Sequence, residues 1–165
     1  MPERRKYPTA LSAFTGAGGL DLGLACAKFR VIACIENDGI ARHTLLSNCP
    51  GRRFLEPFDI TKLAEKLRPA DLGLRRGQLG LLAGGPPCQP FSKAAQWTKS
   101  GMRGLKDPRS EPLRAFLVLA ERFLPRAILI ENVPGFIQGP SSAVVPRQNA
   151  SRSWNQQLTQ RGVTL

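Results

Sequence analysis

Short, nearly continuous apolar runs alternate along this chain with segments whose apolar residues recur every three or four positions. The runs are typical of buried β-strands and span residues 9–14, 31–35, 79–83 and 127–130, with a weaker one at 54–58. Helical spacing is found at residues 20–29, 40–46 and 61–67, and most clearly in the segment that follows Ser110. The pattern therefore predicts five strands separated by helices.

The segment after Ser110 gives the clearest helix prediction. Ser110 is a favourable N-cap residue, and Pro125 ends the pattern. Between them the apolar residues follow the spacing of an amphipathic helix: Leu113, Phe116, Leu117, Ala120 and Phe123.

Strands that are apolar along their whole length and separated by helices indicate a parallel sheet covered on both faces. The predicted fold class is α/β, a doubly wound, mostly parallel sheet in a single domain of residues 1–165. Ligands of such sheets bind beyond the carboxyl ends of the strands. The residues best suited to chemistry all fall at predicted strand ends: Phe14, Glu36, Asp59, Cys88 and Glu131.

The charge balance favours a polyanionic partner. The 165 residues are 42% apolar, as in a globular protein, and 24 Lys and Arg against 12 Asp and Glu give a net charge of +12. Basic side chains placed on phosphates release condensed counterions, so this excess is typical of nucleic-acid binding. A basic surface that only keeps the protein soluble is the alternative. Residues 93–109 hold five basic residues and one acid, which predicts a basic loop directly after Cys88.

Cysteine and histidine usage argues against metal and disulfide chemistry. The four cysteines form no C-x-x-C pair, and His43 is the only histidine, so neither a zinc site nor a disulfide framework is expected. Reduced thiols predict a cytoplasmic protein. The charged residues 1–6 precede no apolar signal region, and no stretch approaches the roughly 20 apolar residues of a spanning helix, so no membrane association is expected.

The most informative segment is residues 84–92, Gly-Gly-Pro-Pro-Cys-Gln-Pro-Phe-Ser, which follows the predicted strand at 79–83. Two prolines before Cys88 fix φ near −65° and stiffen the approach to the thiol, as a nucleophile requires. An incidental buried cysteine after a Pro-rich turn is the alternative. The nine consecutive residues resemble the catalytic motif of the cytosine-5 DNA methyltransferases, which implies that Cys88 is the nucleophile.

The glycine-rich turn after the first strand would let a ligand approach the backbone. On spacing alone, Gly16-x-Gly18-Gly19-x-Asp21 lacks the third glycine of a dinucleotide fingerprint, so a nicotinamide or flavin remains an alternative. Residues 14–23 resemble the first motif of the same family, which implies a Rossmann-like methyltransferase core that binds S-adenosylmethionine. The resemblance assigns the adenine to Phe14, Asp59 and Ile60, the ribose to Glu36, and the methionine part to Gly16, Gly18, Gly19 and Leu20.

Residues 131–133, Glu-Asn-Val, resemble a further motif of the family. A thiolate adding to C6 of cytosine makes C5 nucleophilic, and a carboxyl group near N3 can share a proton with the ring. The resemblance gives that role to Glu131, for which a structural ion pair is the alternative. Because a stacked base is out of reach, double-stranded DNA must flip its target outward, with residues 89–109 closing behind it. Gln89, Ser92 and Arg109 are the expected DNA contacts.

The likeness covers residues 9–165 and lacks the family's arginine-bearing motif, its target-recognition region and its last motif. We therefore expect a truncated catalytic domain that methylates DNA in a prokaryotic restriction-modification setting, near the nucleoid, together with a separately encoded C-terminal fragment. A catalytically silent relic or regulatory subunit is the alternative. A dinucleotide-dependent oxidoreductase, the third hypothesis, leaves Cys88 unexplained.

Overall fold

Four parallel strands form the sheet in residues 7–88 and 108–133, the part of the chain that the computed structural model describes. They are β1 (Thr9–Ala13), β2 (Arg30–Ile35), β3 (Leu81–Gly84) and β4 (Ala127–Ile130), in the spatial order β2-β1-β3-β4. The helices are α1 (Gly19–Cys26), α2 (Gly39–Asn48), α3 (Ile60–Leu63) and α4 (Glu111–Phe123), with 3-10 turns at Pro69–Leu72 and Pro108–Ser110.

Helices cover both faces of the sheet because alternate residues of each strand point to opposite sides. On one face Ala10 and Ala83 pack against Leu24 of α1. On the other face Leu11 and Leu82 belong to a larger cluster that includes the apolar residues of α3 and α4. The predicted doubly wound α/β fold is confirmed.

The main core lies under α4, whose apolar stripe the sequence predicted, except that Leu119 is fully buried and Leu117 only half-buried. Phe116 and Phe123 are completely buried there. Removing either ring would cost about 3–5 kcal/mol, because the surroundings collapse only in part. Ser110 occupies the N-cap position, but its side chain makes no capping hydrogen bond, since its backbone is already helical with φ −83° and ψ 0°.

The chain order creates a crevice. From β1 the chain first moves outward to β2 and then crosses back to β3 on the other side of β1. Connections therefore leave the carboxyl ends of β1 and β3 in opposite directions, and ligands of α/β sheets bind at this kind of switch point. The glycine turn after β1 and the proline-rich turn after β3 both lie there.

The prediction of a strand at residues 54–58 is wrong. Only Phe54 forms a bridge, to Cys34 of β2. Pro57 has no N–H to donate to a ladder, and Phe58 has a left-handed backbone with φ 70°, so the segment turns away from the sheet. Asp59 consequently follows a turn and caps a helix instead of ending a strand. The helix predicted at 61–67 is also shorter, Ile60–Leu63, and turns follow it.

The other boundaries differ by a few residues. The helix predicted at 20–29 is Gly19–Cys26, and that predicted at 40–46 is Gly39–Asn48. Among residues 7–88 and 108–133, no helix is both long and apolar enough to cross a bilayer.

Candidate active site

The turn after β1 requires glycine at one position in particular. Gly18 has φ 96°, and a β-carbon built on it would lie 2.5 Å from Leu45 Cδ1 of α2. Gly16 also has a positive φ, 56°, but a β-carbon there, as at Gly19, would meet nothing within 4 Å. The turn therefore packs against α2 through Gly18 and leaves an open backbone surface at Gly16 and Gly19, where a ligand can approach.

Glu36, which follows β2, holds this turn in place. Its Oε2 accepts a hydrogen bond from the N–H of Gly16 at 2.7 Å, and its Oε1 accepts one from the N–H of Asp38 at 2.9 Å. A carboxylate has about four acceptor sites, so each oxygen can still accept from a ligand hydroxyl. Glu36 thus couples the loop after β2 to the glycine turn.

A cleft with about 360 Å³ of space, including its open mouth, lies beyond the ends of β1 and β2. Its lining combines apolar rings and aliphatic groups with two carboxylates: Phe14, Ile35, Glu36, Asn37, Phe58, Asp59, Ile60, Pro87 and Pro112. The Phe14 ring is itself supported by Phe116 of α4, with the ring centroids 6.3 Å apart. Such a lining suits a flat heterocycle attached to a polyhydroxyl group.

Asp59 has a structural role in this cleft. Its Oδ1 accepts hydrogen bonds from the N–H and the hydroxyl of Thr61, at 2.9 and 2.7 Å, which caps α3. Its Oδ2 lies 3.9 Å from Nζ of Lys62 in a partly exposed pair. The carboxylate that the sequence assigned to the adenine therefore also fixes the start of α3, next to the buried Ile60.

The structure places Cys88 and Glu131 after neighbouring strands. Gly84 of β3 pairs with Ile130 of β4, and the N–H of Glu131 donates to the carbonyl of Gly84 at 3.0 Å. A β-carbon on Gly85 would lie 3.0 Å from Oε2 of Glu131, so the absence of a side chain at position 85 leaves room for this carboxylate. Cys88 is half-buried, and Glu131 is exposed.

Asn132 joins the two turns that carry these residues. Its side-chain amide donates to the carbonyl of Pro86 at 3.0 Å, and its Oδ1 accepts from the N–H of Val133 at 2.9 Å. Two residues beyond Pro86 lies Cys88, and Pro87 between them lines the cleft. The sequence marked Asn132 only as part of a motif, and its contact depends on strand register, which no local pattern reveals.

The structure describes one of the three predicted DNA contacts. Gln89 and Ser92 lie outside the described residues. Arg109 is half-buried in the 3-10 turn Pro108–Ser110 that leads into α4, and it has an interaction of its own. Within the described ranges, no group of three or more His, Cys, Asp or Glu side chains could hold a metal ion.

A buried polar cluster beneath the glycine turn was not predicted. Asp21 of α1 is fully buried and accepts hydrogen bonds from the hydroxyl of Ser12 and from the thiol of Cys34, the latter at 3.3 Å. Thr15 adds a hydrogen bond to Ser12 Oγ at 3.2 Å. Burial, reinforced by the negative charge of Asp21, raises the pKa of Cys34 from 9.0 to about 12. Cys34 is therefore a structural thiol, whereas Cys88 is the one beside the cleft.

A doubly wound sheet with a glycine turn, a strand-end acid and a cleft beyond the carboxyl ends of its strands is the fold of nucleotide-binding α/β proteins, a class that includes the S-adenosylmethionine-dependent methyltransferases. Comparison with known proteins narrows this class. Residues 9–162 match the model of the C-5 cytosine-specific DNA methylases. This chain belongs to that family.

Type II methyltransferases are among the relatives. The chain is 34% identical over 127 residues to M.AquIA of Picosynechococcus sp., an alignment that covers 77% of this chain and 49% of the relative. It is 33% identical over 139 residues to M.AgeI of Thalassovita gelatinovora, covering 82% and 30%. The chain thus spans about half or less of the length of these relatives.

Solved structures agree on the fold. A putative DNA modification methyltransferase encoded within an E. coli prophage matches with a TM-score of 0.55 and 25% identity, over 91% of this chain and 38% of the other. The Dnmt2 methyltransferase of S. pombe matches with the same TM-score of 0.55 at 22% identity, over 94% and 41%. At this identity the second match bears on the fold alone.

Proposed function

We propose that this chain is the cofactor-binding and nucleophile-bearing part of an enzyme that methylates C5 of cytosine in double-stranded DNA. One observation carries the proposal. Pro87 lines the cleft and is bonded directly to Cys88, while Glu131 lies beside Gly85 at the end of the adjacent strand. A thiol, a carboxyl group and a nucleoside-sized cleft therefore meet at one edge of the sheet, and the family is one that modifies this atom.

The residues around the cleft fit S-adenosylmethionine. Phe14 and Ile60 offer apolar surfaces for the adenine, with the Asp59 carboxylate near its amino group, and Glu36 has free acceptor positions for ribose hydroxyls. The open backbone at Gly16 and Gly19, with Leu20 beyond, leaves room for the methionine part. When bound, the cofactor supplies an electrophilic methyl group on a sulfonium.

The protein side of the reaction uses two groups. The Cys88 thiolate adds to C6 of a flipped cytosine, and Glu131 shares a proton with N3, so that electron density moves to C5. Methyl transfer to C5 would break the bond between the methyl group and the cofactor sulfur, which would leave as a neutral thioether. A water molecule would then take the C5 proton, so that the C5–C6 double bond re-forms and the thiolate is expelled.

The proposed enzyme also needs a part that recognises the target sequence. Since the chain spans 49% and 30% of two relatives, we assign target recognition to sequence outside these 165 residues. Gln89, Ser92, Arg109 and the basic residues 93–106 supply DNA contacts on the catalytic side. The setting is a restriction-modification system in the prokaryotic cytoplasm, close to the nucleoid.

Covalent capture tests the assignment. The chain, alone and with the protein encoded immediately downstream, is incubated with S-adenosylmethionine and DNA that carries 5-fluorocytosine. We expect a DNA adduct that resists denaturing electrophoresis in the mixture, lost in Cys88→Ser and kept in the matched control Cys26→Ser, whose thiol is exposed. An adduct in Cys88→Ser would refute the nucleophile, and cofactor binding with no adduct in either preparation would indicate a silent relic.

A further inference from the structure

Two phenylalanines in an unusual backbone conformation line the cofactor cleft. Four non-glycine residues in the described ranges have a positive φ, and two of them are Phe14 at 55° and Phe58 at 70°. Both rings contribute to the cleft wall. The left-handed region is disfavoured for residues that carry a β-carbon, so each conformation is held by its surroundings. Phe14 already has a place in the proposed site, and Phe58 has none.

The guanidinium of Arg42 holds the Phe58 ring. The central carbon of that group lies 4.0 Å from the ring centroid, within the range of a cation–π contact. Since Arg42 covers one face, the ring offers its edge or its opposite face to the cleft.

Arg42 is anchored in turn. Its Nη1 donates to the backbone carbonyl of Glu36 at 2.8 Å, and its backbone N–H makes the first intrahelical bond of α2, to the Asp38 carbonyl at 3.1 Å. The loop after β2, which carries the proposed ribose ligand, is thereby linked to the loop that carries Phe58.

We propose that Phe58 is a cofactor-contacting residue that packs against the adenine-bearing part of the ligand, and that Arg42 is the positioning residue that fixes its ring. The inference rests on the proposed function and adds a second aromatic residue, besides Phe14, to the lining of the proposed adenine pocket. It also explains why a bulky residue occupies a position whose φ favours glycine. The strained backbone aims a ring at the cleft, and glycine would remove that ring.

Titration calorimetry on the 165-residue chain, with S-adenosylmethionine and with adenosine as probes, tests the pair. Phe58→Ala should weaken both probes about tenfold, because the lost contact is with the part that they share. Arg42→Gln should weaken both about fivefold in the parent and by less than twofold when Phe58 is already Ala. The control, Arg75→Gln, changes an exposed arginine near the amino end of β3 and should leave both affinities unchanged.

Stability measurements separate contact from folding. Phe58→Gly should lose as much affinity as Phe58→Ala. It should nevertheless melt at a higher temperature than Phe58→Ala, since glycine adopts φ 70° without strain. Phe58→Leu keeps most of the apolar volume and should melt near the parent while losing its coupling to Arg42. Effects of Arg42→Gln and Phe58→Ala that simply add would overturn the positioning role, and a Phe58→Ala affinity within twofold of the parent would overturn the contact. A parent chain that binds neither probe refutes the proposed function itself, and this inference with it.

Discussion

The side-chain amide of Asn132 donates a hydrogen bond to the main-chain carbonyl of Pro86, 46 positions earlier in the chain, at 3.0 Å. The bond crosses from the end of β4 to the turn that leads to Cys88. It therefore sets the position of the proposed nucleophile relative to Glu131, the residue immediately before Asn132.

Replacing Asn132 should impair the chemistry more than the fold. Asn132→Ala removes two hydrogen bonds, to the Pro86 carbonyl and from the Val133 N–H, which costs about 1–2 kcal/mol of unfolding free energy. Displacement of the Cys88 turn should slow adduct formation with 5-fluorocytosine DNA on the order of 100-fold. The rate of trapping in the reconstituted mixture is the measurement. Asn48→Ala, which removes a comparable amide-to-carbonyl bond within α2, is the matched control and should leave the rate unchanged. Equal trapping rates in both variants would contradict the positioning role.

Gly18 and Gly19 should respond oppositely to the same substitution. Gly18→Ala combines a left-handed φ of 96° with a contact of 2.5 Å to Leu45, so it should destabilise the chain by about 1–3 kcal/mol. Gly19→Ala places its methyl group in open space at the start of α1 and should be neutral or stabilise by about 0.5 kcal/mol. The midpoints of urea unfolding curves measure the stability of both variants. A Gly18→Ala midpoint equal to that of the parent would show that the turn can shift away from α2.

Loss of the Glu36 carboxylate should weaken cofactor binding more than it destabilises the fold. Glu36→Gln can still accept from one N–H but not from those of both Gly16 and Asp38. A hydrogen bond to a charged group is worth about 1.5–3 kcal/mol, which predicts a fall in S-adenosylmethionine affinity on the order of 10- to 100-fold by calorimetry. The control is Glu65→Gln, an exposed acid beyond α3. Unchanged affinity in Glu36→Gln would remove this residue from the ribose site.

Alkaline pH should destabilise the chain through Cys34. Burial and the Asp21 charge raise the pKa of this thiol in the folded state from 9.0 to about 12, so the unfolded chain releases the proton first. Its contribution to stability is complete below pH 9 and is lost as the pH rises toward 12. Unfolding free energies of the parent should therefore fall more steeply with pH over this window than those of Cys34→Ala.

Cys26→Ala provides the reference for that comparison. Its thiol is exposed, so the variant should retain the slope of the parent. Parallel pH profiles for the parent and Cys34→Ala would show that the thiolate is accommodated in the folded state. The parent and Cys34→Ala differ in this one ionisable group, so the difference between their profiles isolates the Cys34 thiol.

Apolar runs predicted β1, β2, β3 and β4 because the strands of parallel sheets are typically apolar along their length, although β4 is an edge strand of the described sheet and is partly exposed. The run at 54–58 is weaker, because Glu56 and Pro57 interrupt it, and it fails for a backbone reason. Phe58, which follows Pro57, has a left-handed φ of 70°, and hydropathy does not predict this conformation. Likewise, the stripe of α4 was visible from spacing, whereas its start was fixed by backbone geometry and not by the Ser110 side chain.

The chemistry was visible in sequence where it sits in contiguous motifs, such as the turn that contains Cys88. Contacts that join distant segments were not. The stack of Arg42 on Phe58 and the bond from Asn132 to Pro86 arise from which loops the strand order brings together. Asp21 is fully buried because α1 turns it inward to Ser12, which a local pattern cannot show.

The outer side of β4 carries no further strand within residues 7–88 and 108–133, and Leu129 on that strand is 41% exposed. Unpaired amide and carbonyl groups along an edge strand can form hydrogen bonds with another extended segment, including one from a second copy of the same molecule. A segment that pairs with this edge would remove its tendency to self-associate. Light scattering of concentrated samples would therefore report whether the edge is covered in solution.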